Sequence, residues 1–448
     1  MVASSEILAQ TGLQTEFYQL VQAALYHADG MWGDATVDLF LPSLPEDHGY
    51  LVAAGIQPAI DSILGLRFSD TDVEWLQQQP IYARLGDTFF DSLRHFRFNG
   101  EIWAMREGTP VLPGEPVVRI TAPLPHVGLF ELILVQAISH ASGMATEASR
   151  LVQAAQGRPV LDFGSRRHHG SDAAFAAARA AWIGGCGGTT HAHAAHRLGI
   201  PVVGLISDTM LAAYDDVSIA YEALRAHFPD GCHLNLPTEA PVEAIDRFEN
   251  IHDRVQTVRL DHPDLDGVSR LIRERLDTRG MQHTRILGSG QLDADTLGTL
   301  VANGAPIDMF GVGAALNRGL AGAPPPMSYR MAELVRAMAP VPVTGHWSAP
   351  WPGRKQVLRF PDHDVLCLEM EADAIAAEGG VPLLLQWVDD GERIRPAPTV
   401  QEMRSWCAES LANLPGATHR TRAPLRMEVR PTMTLQSVAE RAEAAKQR

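Results

Sequence analysis

Pro159-Val160-Leu161-Asp162-Phe163-Gly164-Ser165-Arg166-Arg167-His168-His169-Gly170 is the stretch on which the fold turns. A short apolar run ends in an acid, an aromatic ring and a glycine, and two adjacent guanidiniums follow. Apolar runs of this length bounded by turn residues read as buried strands. The same texture recurs at Pro201-Val202-Val203-Gly204, Val255 to Leu260, Arg285 to Gly288 and Ile307 to Phe310, with helical pieces between. Strands alternating with helices at this spacing predict a parallel α/β barrel or sheet, whose functional loops follow the C-terminal ends of the strands. An aromatic ring, a flexible glycine and two guanidiniums at such an end suit a flat, anionic ring substrate.

Outward from this core the texture changes on both sides. Phe17, Leu20, Val21, Ala24 and Leu25 lie at helical spacing and predict an opening amphipathic helix. Residues 97–124 carry short valine-rich pieces punctuated by Glu107-Gly108-Thr109-Pro110 and Leu112-Pro113-Gly114-Glu115-Pro116, the pattern of small antiparallel strands with tight turns. Downstream, Ala323-Pro324-Pro325-Pro326 together with Pro340, Pro342, Pro350 and Pro352 marks departure from the barrel. Three segments result: an α+β N-terminal domain over 1–126, an irregular α/β barrel over 127–325, and a segment over 326–448 expected to pack back on the first domain. The charged run from Leu435 to Arg448 reads as a solvated surface helix.

Bulk properties narrow the function. The chain has 448 residues, 46% of them hydrophobic and 20% charged, enough to bury a large core in two or three domains. A formal charge of -16 argues against nucleic acid as a bulk partner, because a phosphate backbone needs clustered Lys and Arg. Cys186, Cys232, Cys367 and Cys407 are too widely spaced for a zinc knuckle and too few for a disulfide scaffold, so a reducing cytoplasm fits them. Met1-Val-Ala-Ser-Ser-Glu lacks the basic and apolar regions of a leader, and no membrane role is expected.

A set of collinear motifs carries more information than any one of them. Thr15-Glu16-Phe17-Tyr18-Gln19, Gly49-Tyr50-Leu51-Val52-Ala53-Ala54-Gly55, Asp162-Phe163-Gly164-Ser165-Arg166-Arg167 and Ile183-Gly184-Gly185 come first; Arg259-Leu260-Asp261, Phe310-Gly311-Val312-Gly313 and Pro352-Gly353-Arg354-Lys355-Gln356-Val357 follow. Together they resemble the successive landmarks of nicotinate phosphoribosyltransferases, in order across nearly the whole chain. The resemblance implies an irregular α/β barrel, a β-rich α+β domain assembled from both chain ends, and a homodimer with shared active sites. It also implies an enzyme joining nicotinate to phosphoribosyl pyrophosphate, with ATP hydrolysis coupled through a phosphorylated histidine.

Carried over residue by residue, the resemblance places the base between Phe163 and Tyr18 of the partner subunit, with Arg166 on its anionic group. Offset stacking and a bidentate guanidinium suit a pyridine carboxylate. Arg259, Asp261 and Asp264 fall on the loop the family writes Arg-Leu-Asp-Ser-Gly-Asp, where carboxylates stabilise an oxocarbenium-like ribosyl centre. Here its middle pair is His262-Pro263. Gly288-Ser289-Gly290 and Gly311-Val312-Gly313 each follow a predicted strand, and the backbone N–H groups of Ser289, Gly290, Gly311 and Gly313 suit a 5′-phosphate.

The departures cluster. Counting from Gly199-Ile200-Pro201-Val202-Val203-Gly204 puts Asp208 where the family has its phosphorylatable histidine, so ATP coupling is not expected. Asp208 reads either as a nucleophile or base toward the ribose carbon or as a relic. Pro42-Ser43 replaces an expected basic pair, Leu236-Pro237-Thr238-Glu239 an Asp-Thr-Tyr-Asp run, and Gln291 an aspartate; Val343-Thr344-Gly345-His346-Trp347 lacks the family's lysines. The losses fall on groups that would handle pyrophosphate, its metal and ATP. No protein-held metal is expected, and Mg²⁺ enters only with a pyrophosphate donor. Removal of phosphoribose from a mononucleotide-like substrate is the leading reading. The alternatives are a working transferase in NAD salvage, binding its donor through Arg167, Arg354 or Lys355, and a noncatalytic nucleotide-binding protein.

Smaller signals compete. His191-Ala-His193-Ala-Ala-His196 invites a metal reading, but on a helix His193 and His196 share a face while His191 points away. His168, His169 or His191 reads better as a pocket group recognising an anion or moving a proton, and Cys186 as a small buried thiol.

Overall fold

The computed structural model describes residues 11–204, 206–214, 216–228, 233–246, 255–318, 325–343 and 351–446. The N-terminal Met1 to Glu6, Cys232, Ala323-Pro324 and the stretch from Thr344 to Trp347 lie outside the described residues. The chain forms two compact units, one from Met144–Ala323 and one from Met1–Gly143 with Pro324–Arg448. The fold is α/β, an irregular barrel plus an α+β domain built from both chain ends.

In the Met144–Ala323 unit five parallel strands carry the architecture: β1 (Val160–Asp162), β2 (His233–Asn235), β3 (Thr257–Asp261), β4 (Arg285–Ser289) and β5 (Met309–Val312). Their spatial order is β1-β5-β4-β3-β2. Single parallel bridges, Asp162 to Thr189 and Thr189 to Val202, continue the row beyond β1. The predicted strand at 201–204 is thus one bridge long. Successive side chains on a strand point to opposite faces, and one face is apolar but for the buried Asp162 at the end of β1. Val160, Val258, Leu260, Ile286, Phe310 and Val312 pack in one core with Leu151, Ile272, Leu276, Leu297 and Leu300 of the covering helices.

The helix Glu131–Ala154 runs from one unit into the other. By length and composition alone Leu124–Ala154 would cross a bilayer, but its most apolar window is 61% buried inside the protein, as in a core helix.

The other unit centres on a seven-stranded sheet in which Asp34–Phe40, from the start of the chain, pairs antiparallel with Ser328–Arg336 and with Pro116–Pro123. Lys355 is 2% exposed, lies 2.6 Å from the fully buried carboxylate of Asp38 and donates to Gly353 O at 2.7 Å. Arg119, 1% exposed, donates to Lys355 O at 2.8 Å. Burial lowers the Lys355 pKa while the Asp38 carboxylate opposes the shift. Arg354 meets Glu333 at 3.2 Å. Two of the three side chains read as replacement donor-binding groups are therefore occupied, and Lys355 is a core residue.

His126 sits in an aromatic nest with ring centroids 5.0 Å from Phe96 and 6.0 Å from Trp32. Its Nδ1 has no hydrogen-bond partner among the described residues. Burial, with His27 nearby, lowers its pKa from 6.5 to about 4. The unfolded chain therefore takes up a proton near pH 6.5 that the native state refuses until about pH 4. Stability present above pH 6.5 is lost as pH falls across that window, by about 3 kcal/mol. Denaturant unfolding of wild type and His126→Phe between pH 7.5 and pH 4.5 checks this, with a flatter pH dependence expected in the variant.

Candidate active site

The barrel strands present a second face, opposite the apolar core. Phe163, Arg259, Asp261, Ser289, Gly311 and Gly313 occupy the alternate positions, at or near the C-terminal ends of β1, β3, β4 and β5. Arg259 Nε donates to Ser289 Oγ at 2.8 Å, and its NH2 group donates to Asp261 Oδ2 at 2.8 Å. Thr238 Oγ donates to the Asp261 carbonyl at 3.1 Å. The side chain of Asp261 is 49% exposed, so the arginine fixes one carboxylate oxygen while the other faces open space. Gly290 keeps that space clear: its φ is +120°, and a Cβ there would stand 2.9 Å from Asp261 Oδ1.

Phe163 is held from the backbone outward. Its N–H donates to Val312 O at 2.8 Å. Beneath it, Asp162 is 2% exposed and accepts from Gly164 N and from Thr189 Oγ, each at 2.7 Å. The turn Ser165–Arg167 follows, with Arg166 and Arg167 exposed, and Ser165 Oγ lies 3.3 Å from Thr190 Oγ. The Phe163 ring rests on Gly311, where a Cβ would come within 2.3 Å of Cε2. A Cβ on Gly313 would stand 2.9 Å from Phe163 O.

The sequence-predicted site residues thus separate by role. Phe163, Arg259, Asp261, Ser289 and Gly290 share the rim and inner face of one barrel. Ser289 is 2% exposed, and its hydroxyl accepts from Arg259. Gly311 lies within the ladder between Leu161 and Ser289, its missing side chain taken up by the Phe163 ring. Asp264 caps the helix Leu265–Thr278, accepting from Gly267 N at 2.9 Å. The side chain of Asp208, which opens the turn Asp208–Leu211, lies outside the described residues. Asp162 and Thr189 splint the loop bearing Phe163, and no local sequence pattern links positions so far apart.

Tyr18 belongs to the other unit, on the helix Phe17–Ala28, and is 54% exposed. Gln19 Nε2 donates to Tyr18 Oη at 2.9 Å and also bonds Glu131. Partial burial and then the Glu131 carboxylate raise the phenol's pKa, and burial raises that of Glu131.

His191 caps the helix Ala192–Leu198, its Nδ1 accepting from Ala194 N at 3.1 Å. Among the described residues no group of three or more His, Cys, Asp or Glu side chains could hold a metal ion. Cys186, Cys367 and Cys407 are buried, and burial pushes the last two up to about 12. Thiolate is the reactive form, so in the native state Ellman's reagent should label none of these three on the timescale of minutes. Peptide mapping after an alkylating chase checks it; rapid labelling of Cys186 would show an accessible, reactive thiol instead.

Comparison with known proteins gives the family. Residues 13–139 match the nicotinate phosphoribosyltransferase N-terminal domain, 144–320 the quinolinate phosphoribosyl transferase C-terminal domain, and 373–439 the nicotinate phosphoribosyltransferase C-terminal domain. Nicotinate phosphoribosyltransferase pncB2 of Mycobacterium tuberculosis is 34% identical over 414 residues, covering 90% of this chain and 87% of the relative. Nicotinate phosphoribosyltransferase of Bacillus subtilis is 33% identical over 312 residues, 68% of this chain and 63% of that protein. The fold is shared with human nicotinic acid phosphoribosyltransferase, at a TM-score of 0.81 and 22% identity over 95% of this chain and 99% of that one. It is also shared with nicotinate-nucleotide pyrophosphorylase from Pyrococcus furiosus, at 0.75 and 24% over 92% and 97%. The chain belongs to the nicotinate phosphoribosyltransferase family and is an enzyme of the phosphoribosyltransferase class.

Proposed function

We propose that the protein acts on the bond between a pyridine-carboxylate base and ribose 5-phosphate, without ATP, and removes phosphoribose from a mononucleotide. The observation that carries this is the Arg259–Asp261–Ser289 group beside Gly290 on the inner face of the barrel rim. Phe163 and Tyr18 of the partner subunit clasp the ring, and Arg166 pairs with its carboxylate. As the C–N bond breaks, its electron pair goes to the ring nitrogen and positive charge develops at the ribosyl carbon. Asp261, held by Arg259, stabilises that charge. Water adds to the carbon and releases a proton, yielding free base and ribose 5-phosphate. Gly290 and Gly313, past their strand ends, offer backbone N–H groups to the 5′-phosphate. Asp208 in place of the family's histidine supports independence from ATP, and the occupied Lys355 and Arg354 leave fewer cations for a pyrophosphate donor.

A second reading is favoured by the identity to relatives named nicotinate phosphoribosyltransferase. In it the same clamp serves synthesis from nicotinate and phosphoribosyl pyrophosphate in NAD salvage, with Mg²⁺ carried on the donor's phosphates and Arg167, exposed beside Arg166, as the donor-binding cation. A homodimer in the cytoplasm accompanies either reading. Assaying both directions with and without ATP separates them: the proposal expects base release from the mononucleotide unaffected by ATP. Net synthesis with no measurable release would replace it with the second reading.

A further inference from the structure

The row of barrel strands encloses a second space, on the N-terminal side of Phe163. Parallel barrels normally fill their interior with layers of side chains, yet here a cavity of about 550 Å³ remains, within the range of small-molecule sites. Its walls are apolar, from Phe163, Leu161, Leu287, Met309 and Val203. Its polar groups, Arg285, His283, His233, Gln256 and Thr257, gather where the strands begin. No carboxylate is among the described residues that line it, and the nearby Asp308 accepts from Ile286 N at 2.7 Å. His233 Nδ1 is buried and has no hydrogen-bond partner among the described residues. Arg285 is exposed at the mouth.

We propose that this cavity is a second ligand site that takes a small monoanionic aromatic acid, its ring against Phe163, Leu161 and Leu287 and its carboxylate at Arg285. An apolar chamber with cationic and imidazole groups at one end matches that amphipathic shape, and an arginine suits a carboxylate. The site is separate from the rim clamp, whose cation is Arg166, and it does not rest on the direction or even the existence of the proposed reaction. Since the ring of Phe163 belongs to both, an occupant would press on a wall of the rim site.

Titration calorimetry of the full-length protein with 2-naphthoate tests the assignment, with Arg285→Glu, Met309→Trp and Arg166→Ala in parallel. Binding to wild type is expected, weakened by about ten-fold or more in Arg285→Glu, abolished when Met309→Trp fills the chamber, and kept in Arg166→Ala. Arg285→Glu is a surface change, so it carries the test even if Met309→Trp fails to fold. Absence of binding to wild type at millimolar concentration, or an affinity unchanged by Arg285→Glu, overturns the proposal.

Discussion

Asp261→Asn should lower kcat for base release by about 100- to 1,000-fold while leaving KM nearly unchanged, because the carboxylate acts on charge that exists only in the transition state. The substitution keeps the shape of the side chain and an oxygen acceptor for Arg259, whose NH2 group now donates to Oδ2 at 2.8 Å. What it removes is the negative charge of the oxygen that faces open space beside Gly290. Arg259→Ala should fall short of that loss in kcat, since it frees the carboxylate rather than deleting it. Steady-state kinetics on the mononucleotide, with calorimetric binding to verify that both variants still take it up, measures the two effects. A loss of only a few-fold in Asp261→Asn would reduce Asp261 to a structural partner of Arg259.

Gly311→Val should raise KM for the base or mononucleotide by about 10- to 100-fold and cost about 1–3 kcal/mol of stability. The cause is steric and local. A Cβ at position 311 would stand 2.3 Å from Cε2, 2.6 Å from Cδ2 and 2.9 Å from Cζ of Phe163, so the ring must leave its place. The double variant with Phe163→Ala separates packing from binding. Removing the ring relieves the clash, so stability should recover toward that of Phe163→Ala alone while affinity stays low. Thermal unfolding and KM measured on the four members of the cycle check it; a Gly311→Val enzyme with normal KM would show that Phe163 does not form the base clamp.

The barrel was legible because its strands are apolar on the outward face. Runs such as Val160 to Phe163 and Arg285 to Gly288 needed no long-range information, and they became β1 and β4. β2 was not, since His233-Leu234-Asn235 offers a single apolar residue and its outward Leu234 alone makes no pattern. Arg259 and Asp261 were readable as chemistry, being polar at a strand end. The functions of Gly311 and Lys355 were not: one is set by a ring from β1's loop, the other by Asp38 on a distant strand. Lys355 within Gly353-Arg354-Lys355-Gln356 looks solvated in one dimension and is a buried ion pair in three. Asp264 shows the reverse, since a carboxylate before Leu265–Thr278 has the ordinary position of a helix cap.

The reaction proposed for the Arg259–Asp261 site is cleavage of the nicotinate–phosphoribose bond with no call on ATP. Incubating the protein with nicotinate mononucleotide alone, and following nicotinate and ribose 5-phosphate together by mass spectrometry, tests it most directly. The two products are expected in equal amounts, at a rate unchanged by added ATP and suppressed in Asp261→Asn. Intact mononucleotide after prolonged incubation, beside synthesis from nicotinate and phosphoribosyl pyrophosphate that consumes ATP, would contradict it.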